Sequence, residues 1–116
     1  MSSDTPDFRD AQEAFDSGDF ETSLVICEGL FDEDEVKTPI EVLHLAAESL
    51  LSLQEPQEAG HLVRIALEQG KEEPALHHCL GVSCFELADF IAARRHFERA
   101  VSLDHDLGEP LFYLAM

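Results

Sequence analysis

The chain has 116 residues and a mass of 12.9 kDa, which fits one small domain. Its 25 acidic and 7 basic side chains give a formal charge of −18. We therefore expect no binding to nucleic acid or to an anionic membrane surface, because both need clustered Lys and Arg. A hydrophobic fraction of 45% excludes a disordered acidic chain, and no apolar run is long enough to span a membrane. The acidic N-terminus lacks a signal-peptide pattern, so we expect a cytoplasmic location.

The negative charge is concentrated near the N-terminus. Residues 1–39 hold 12 acidic and 2 basic side chains, with a peak at Asp32–Glu35. One interpretation is a solvated face, and another is a surface that attracts a basic partner. A third is a salt-loving host, which the presence of only two lysines beside five arginines would also fit.

Seven helices are predicted in chain order, over residues 6–17, 20–32, 39–53, 56–70, 74–87, 90–103 and 110–116. Apolar residues recur in them every three or four positions, as at Leu43, Ala46, Ala47, Leu50 and Leu51. No stretch alternates in the way a strand does. The pattern therefore predicts an all-α fold.

Prolines mark the expected helix starts. Proline is favoured at the first helical position, where its missing N–H would have no partner. All five prolines precede a helical pattern: Pro6, Pro39, Pro56, Pro74 and Pro110. Thr38 and Glu41 have the spacing of a capping box at one of these starts. Gly18 and Gly70 fit turns that end helices.

The helices repeat in pairs. Pro6, Pro39, Pro74 and Pro110 are separated by 33, 35 and 36 residues. A period near 34 residues made of two helices resembles the tetratricopeptide repeat. The unit that begins at Pro74 is most similar to that family, through Leu80-Gly81, the turn Ala88-Asp89-Phe90, the second-helix residues Ala93, Phe97 and Ala100, and the closing residues 102–106.

This resemblance implies a right-handed α-α superhelix, a solenoid of three helix-turn-helix units plus a partial fourth. The expected divisions are a tail at 1–5, units at 4–37, 38–73 and 74–107, and the first helix of a truncated unit at 108–116. Ala11, Ala47 and Gly81 are expected to let paired helices approach closely. Larger side chains are expected to fill the gaps between stacked units, namely Phe20, Leu30, Phe90 and Phe97.

The sequence offers little catalytic or metal-binding chemistry. His77, His78 and Cys79 are consecutive on a helix and point about 100° apart, so they cannot chelate one ion together. No zinc, phosphate-loop or nucleophile motif is present, and we expect no catalytic residue, no metal site, no cofactor and no enzymatic activity. Three cysteines are an odd number without a disulfide spacing, and Cys27 and Cys84 are expected to be inert packing thiols.

The resemblance also implies a concave groove that binds a peptide. In the family, the second, fifth, ninth and twelfth positions of each first helix line this groove. Here they are Thr5, Phe8, Gln12 and Phe15, then Glu41, His44, Glu48 and Leu51, then Ala75, His78, Val82 and Phe85, and finally Glu109, Phe112 and Met116. Because none is Lys, Arg or Asn, a clamp for chaperone carboxylates should be absent.

The expected function is therefore that of a scaffold or adaptor whose protein or peptide partner supplies an apolar segment, with or without basic flanks. Other interpretations stay open. Phe8, Phe15 and Phe85 are alternatively packing residues between first helices, and His44 and His78 are alternatively solvated without a role.

The C-terminal end allows two further functions. Leu111 and Leu114 leave an apolar end without a covering helix, which indicates a fragment of a longer protein or a homodimer formed through residues 110–116. The chain would then be a self-association module, or a targeting domain attached to a larger enzyme.

Overall fold

The computed structural model describes residues 5–70 and 72–104. Within these ranges the chain forms six α-helices: α1 (Phe8–Asp16), α2 (Phe20–Gly29), α3 (Ile40–Ser52), α4 (Pro56–Glu68), α5 (Pro74–Glu86) and α6 (Phe90–Leu103). A short 3-10 helix at Glu35–Lys37, which was not predicted, precedes α3. The described residues contain no strand, so the all-α prediction is confirmed. The predicted helix at 110–116 lies outside them.

The helices stack as consecutive antiparallel pairs. α1 packs on α2, α3 on α4 and α5 on α6, while α2 contacts α3 and α4 contacts α5. The result is an elongated body of 51 × 29 × 25 Å, as expected when each pair buries its apolar face only against its neighbours. None of the described helices is both long and apolar enough to cross a lipid bilayer.

Small residues allow the paired helices to approach closely. Gly81 on α5 faces the ring of Phe97 on α6, and a Cβ on Gly81 would lie 2.6 Å from Phe97 Cε1. Ala11 and Ala47 are completely buried at the corresponding helix contacts. The expected close approach is present at Gly81, and Ala11 and Ala47 are buried as small contact residues would be.

Two of the aromatic residues that were expected to fill gaps between stacked units, Phe20 and Phe90, do not fill them. Phe97 is 1% exposed and belongs to the core, but Phe90 is 58% exposed. Phe20 is half-buried and meets Phe15 edge-to-face, with ring centroids 5.1 Å apart. Phe90 makes the same contact with Phe85, at 5.3 Å. Both aromatic residues follow the turn of a helix pair and cover a ring of the preceding helix, rather than a gap between pairs.

The predicted capping box at Thr38 is wrong. Pro39 is the N-cap of α3, without a side-chain cap. Thr38 is completely buried, and its Oγ1 accepts a hydrogen bond from the Asp32 backbone N–H at 2.9 Å. Its carbonyl accepts a second hydrogen bond from the Gln69 side chain. Thr38 therefore ties the acidic loop to the end of α4.

Pro6 likewise lies outside the helix that it was expected to begin. Asp7 is the N-cap of α1, and its side chain accepts a hydrogen bond from the Asp10 backbone N–H at 3.1 Å. The Asp10 carboxylate accepts one from the Asp7 N–H at 2.9 Å, which completes a capping box. Pro56 and Pro74 do stand in the first turn of α4 and α5, as predicted.

Candidate functional site

The first helix of each pair lies on one side of the stack. α1 contacts α3 and α3 contacts α5, whereas the second helices α2, α4 and α6 make no comparable contact with one another in the described ranges. The pairs are therefore closer together on the first-helix side, and the array curves toward α1, α3 and α5. We call this side the first-helix face.

The predicted groove residues that the structure describes are all at least partly accessible. The exposed ones are Thr5, Gln12, Glu41 and Ala75, and the half-buried ones are Phe8, Phe15, His44, Glu48, Leu51, His78, Val82 and Phe85. Glu109, Phe112 and Met116 lie outside the described residues, as do Leu111 and Leu114. No described member of the set is sealed inside the core.

The apolar members of this set also support the fold. Phe8, Phe15 and Leu51 pack against the main core. Val82 and Phe85 pack against a smaller cluster that includes Phe97. Each of these side chains thus has one side against the interior and another at the surface, so the packing interpretation and the groove interpretation are compatible.

The charge of the first-helix face is negative. α3 and α5 contain no Lys or Arg, while α3 carries Glu41 and Glu48. Four arginines lie on second helices, Arg64 on α4 and Arg94, Arg95 and Arg99 on α6, and the first helix α1 carries Arg9. A ligand lying along α3 and α5 would therefore meet carboxylates and apolar side chains, and this favours a basic or apolar ligand.

A neighbouring histidine and glutamate and a thiol lie together at the contact of α3 with α5. His44 Nε2 is 3.6 Å from Glu48 Oε2, one helical turn away. Cys79 of α5 is buried, and its Sγ lies within 4.8 Å of a ligand atom of each. Sequence analysis missed this group because Cys79 is distant in the chain, although His44 and Glu48 have the spacing of neighbours on one helix face.

All three cysteines are buried free thiols. Burial raises the pKa of Cys27 to about 11, and burial followed by the negative charge of Glu48 raises that of Cys79 to about 12. Burial also raises the pKa of Cys84. With their pKa values raised, these thiols stay protonated at neutral pH and are poor nucleophiles. Cys27 and Cys84 are core residues, as predicted.

A second polar cluster joins the loop before α5 to α6. Glu72 Oε1 accepts a hydrogen bond from Arg99 Nε at 2.9 Å, and it lies 2.8 Å from Arg99 Nη2 and 3.3 Å from His77 Nε2. The Arg99 hydrogen bond and charge lower the pKa of Glu72. His77 in turn stacks on His96, with centroids 6.1 Å apart. These contacts hold α6 against α5 and the loop before it, so the cluster has a structural role.

Comparison with solved structures identifies the architecture. The first TPR domain of the human RPAP3 protein, determined by NMR, superimposes with a TM-score of 0.83, covering 92% of this chain and 83% of that chain. The chain has a tetratricopeptide-repeat fold. Sequence identity to that domain is 16%, so the likeness concerns the fold alone. No family model and no curated protein gives a significant match to the sequence.

Proposed function

We propose that this tetratricopeptide-repeat chain is a protein-interaction module that binds a peptide segment along its first-helix face. The observation that supports this proposal is the composition of that face. Half-buried apolar side chains such as Leu51 and Val82 lie on α3 and α5, which carry no Lys or Arg, and α3 also carries Glu41 and Glu48. The matching ligand is an apolar segment flanked by Lys or Arg.

This proposal describes an adaptor or scaffold rather than an enzyme. Among the carboxylates described above, Asp7 caps a helix and Glu72 forms a surface ion pair. The buried thiols are held in their protonated form. These groups can contribute electrostatic attraction and packing, but none is arranged as a nucleophile beside a base.

Peptide selection tests the ligand chemistry directly. A displayed library of random peptides is selected against the full chain at low salt, because the electrostatic part of the affinity is then strongest. We expect the enriched sequences to combine apolar residues with Lys or Arg. Enrichment of acidic sequences, or of no sequence, would contradict the proposal.

A matched pair of variants locates the binding surface. Gln12→Arg places a positive charge at an exposed position of α1 on the first-helix face. Gln57→Arg makes the same change at an exposed position of α4, a second helix. The enriched peptides should bind Gln12→Arg more weakly than the unaltered chain and should bind Gln57→Arg normally. Phe85→Glu is unsuitable here because Phe85 packs on Phe90 and a charge would disturb the fold.

A further inference from the structure

Three side chains with different metal-binding atoms meet where α3 packs against α5. His44 and Glu48 project from the same side of α3, and Cys79 comes from α5. One ligand atom from each residue lies within 4.8 Å of the other two. Imidazole nitrogen, carboxylate oxygen and thiolate sulfur are the ligand types by which proteins bind Zn²⁺.

The spacing is close to that of a bound ion. Zinc bonds of about 2.0 to 2.3 Å in a tetrahedron place neighbouring ligand atoms about 3.3 to 3.8 Å apart. His44 Nε2 and Glu48 Oε2 already have this separation, at 3.6 Å. The three ligand atoms lie within 4.8 Å of one another, so the Cys79 sulfur has to move about 1 Å closer when the ion binds, by rotation of its side chain or a shift of α5.

We propose that His44, Glu48 and Cys79 form a binding site for one thiophilic divalent cation of the Zn²⁺ class. The thiol proton leaves to solvent as the sulfur–metal bond forms, while His44 binds as the neutral imidazole. The side chains of His44 and Glu48 are 27% and 38% exposed, so the ion enters from the first-helix face and meets Cys79 at the bottom of the site. Three protein ligands leave one coordination position for water.

The bound ion would link two helix pairs. His44 and Glu48 belong to the pair α3–α4, whereas Cys79 belongs to the pair α5–α6. A metal bond across this contact stabilises the folded chain, because the unfolded chain does not hold the three ligands together. This site goes beyond the proposed peptide binding, and its test uses the metal without any peptide.

Cobalt is the appropriate probe because the chain is strongly acidic. With a formal charge of −18, exposed carboxylates will bind divalent cations weakly at many places. Only a cysteine ligand gives Co²⁺ a thiolate-to-metal charge-transfer band in the near ultraviolet. We expect the full reduced chain to develop this band with one equivalent of Co²⁺, and Zn²⁺ to abolish the band by displacement.

Four variants separate the site from other effects. Cys79→Ser should abolish the band, and His44→Gln should weaken cobalt binding by about tenfold or more. Cys84→Ser changes another buried thiol of α5, and His61→Gln changes an exposed histidine of α4, so both should bind cobalt as the unaltered chain does. Circular dichroism checks that each variant is folded.

Three results would overturn the site. These are a chain without the band at excess Co²⁺, a band retained by Cys79→Ser, or equal cobalt affinities for His44→Gln and His61→Gln. If Cys79→Ser does not fold, His44→Gln still decides the question, because His44 is only half-buried and its replacement leaves the core intact.

Discussion

Replacing Gly81 with Ala tests how closely the paired helices pack. The added methyl carbon would lie 2.6, 2.7 and 3.0 Å from three carbons of the Phe97 ring. That ring is 1% exposed and is part of the core. Overpacking of this kind costs about 1 to 3 kcal/mol, and three short contacts place it in the upper half of that range. The higher helix propensity of alanine offsets about 1 kcal/mol of this cost in the free energy of unfolding.

The free energy of unfolding of Gly81→Ala should therefore fall by about 1 to 2 kcal/mol, measured by urea titration with circular dichroism. Gly29→Ala is the control, because a Cβ there meets nothing within 4 Å and should leave stability unchanged or slightly raised. Shortening the ring with Phe97→Leu should cost less in the Gly81→Ala background than alone. A Gly81→Ala chain as stable as the original would refute this account of the helix contact.

Three further predictions concern a turn, the pH dependence and the charge. Ala88 has a φ of 64°, in the left-handed region that is unfavourable for alanine but not for glycine. Ala88→Gly should therefore raise the free energy of unfolding by about 0.5 to 1 kcal/mol, whereas Ala75→Gly in α5 should lower it. A lower free energy of unfolding in both variants would contradict this prediction. Burial, reinforced by the positive charges of His77, Arg64 and Arg95, lowers the pKa of His96 below its ordinary 6.5. The unfolded chain then binds the proton more readily, so urea midpoints should decline as pH falls through 6.5, and less steeply in His96→Gln. Identical slopes would show that His96 contributes nothing. The melting temperature should rise as NaCl shortens the Debye length from about 30 Å at 0.01 M to about 3 Å at 1 M, and a flat profile would remove the salt-adaptation hypothesis.

Local pattern predicts the helices well because each helix has an apolar stripe in its own sequence. Leu43 and Leu50, for example, are one stripe of α3, and both are buried in the structure. Gly18 and Gly70 have φ values of 85° and 91°, as their predicted place at helix ends requires. Such features depend on neighbours within one or two turns, so sequence alone is sufficient for them.

Features that depend on distant contacts were not predictable in this way. Thr38 has the spacing of a cap, but the loop folds back, so that the Thr38 hydroxyl accepts a hydrogen bond from the Asp32 N–H and its carbonyl accepts one from the Gln69 side chain. Cys79 reaches His44 only because α5 packs against α3. The groove positions came from the family resemblance, and the structure adds which of them are exposed. Peptide binding at those positions stays a prediction.

The central claim is that the first-helix face binds a basic and apolar peptide, and one comparison tests it most directly. Glu41 lies in the first turn of α3 on that face, and Glu58 lies in the first turn of α4. Both side chains are exposed. Glu41→Lys and Glu58→Lys thus make the same charge change in the same helical setting. The dissociation constant of a selected peptide should rise by about three- to tenfold for Glu41→Lys and stay unchanged for Glu58→Lys. Equal effects of the two variants would mean that the peptide responds to net charge alone, and the proposed binding face would then be wrong.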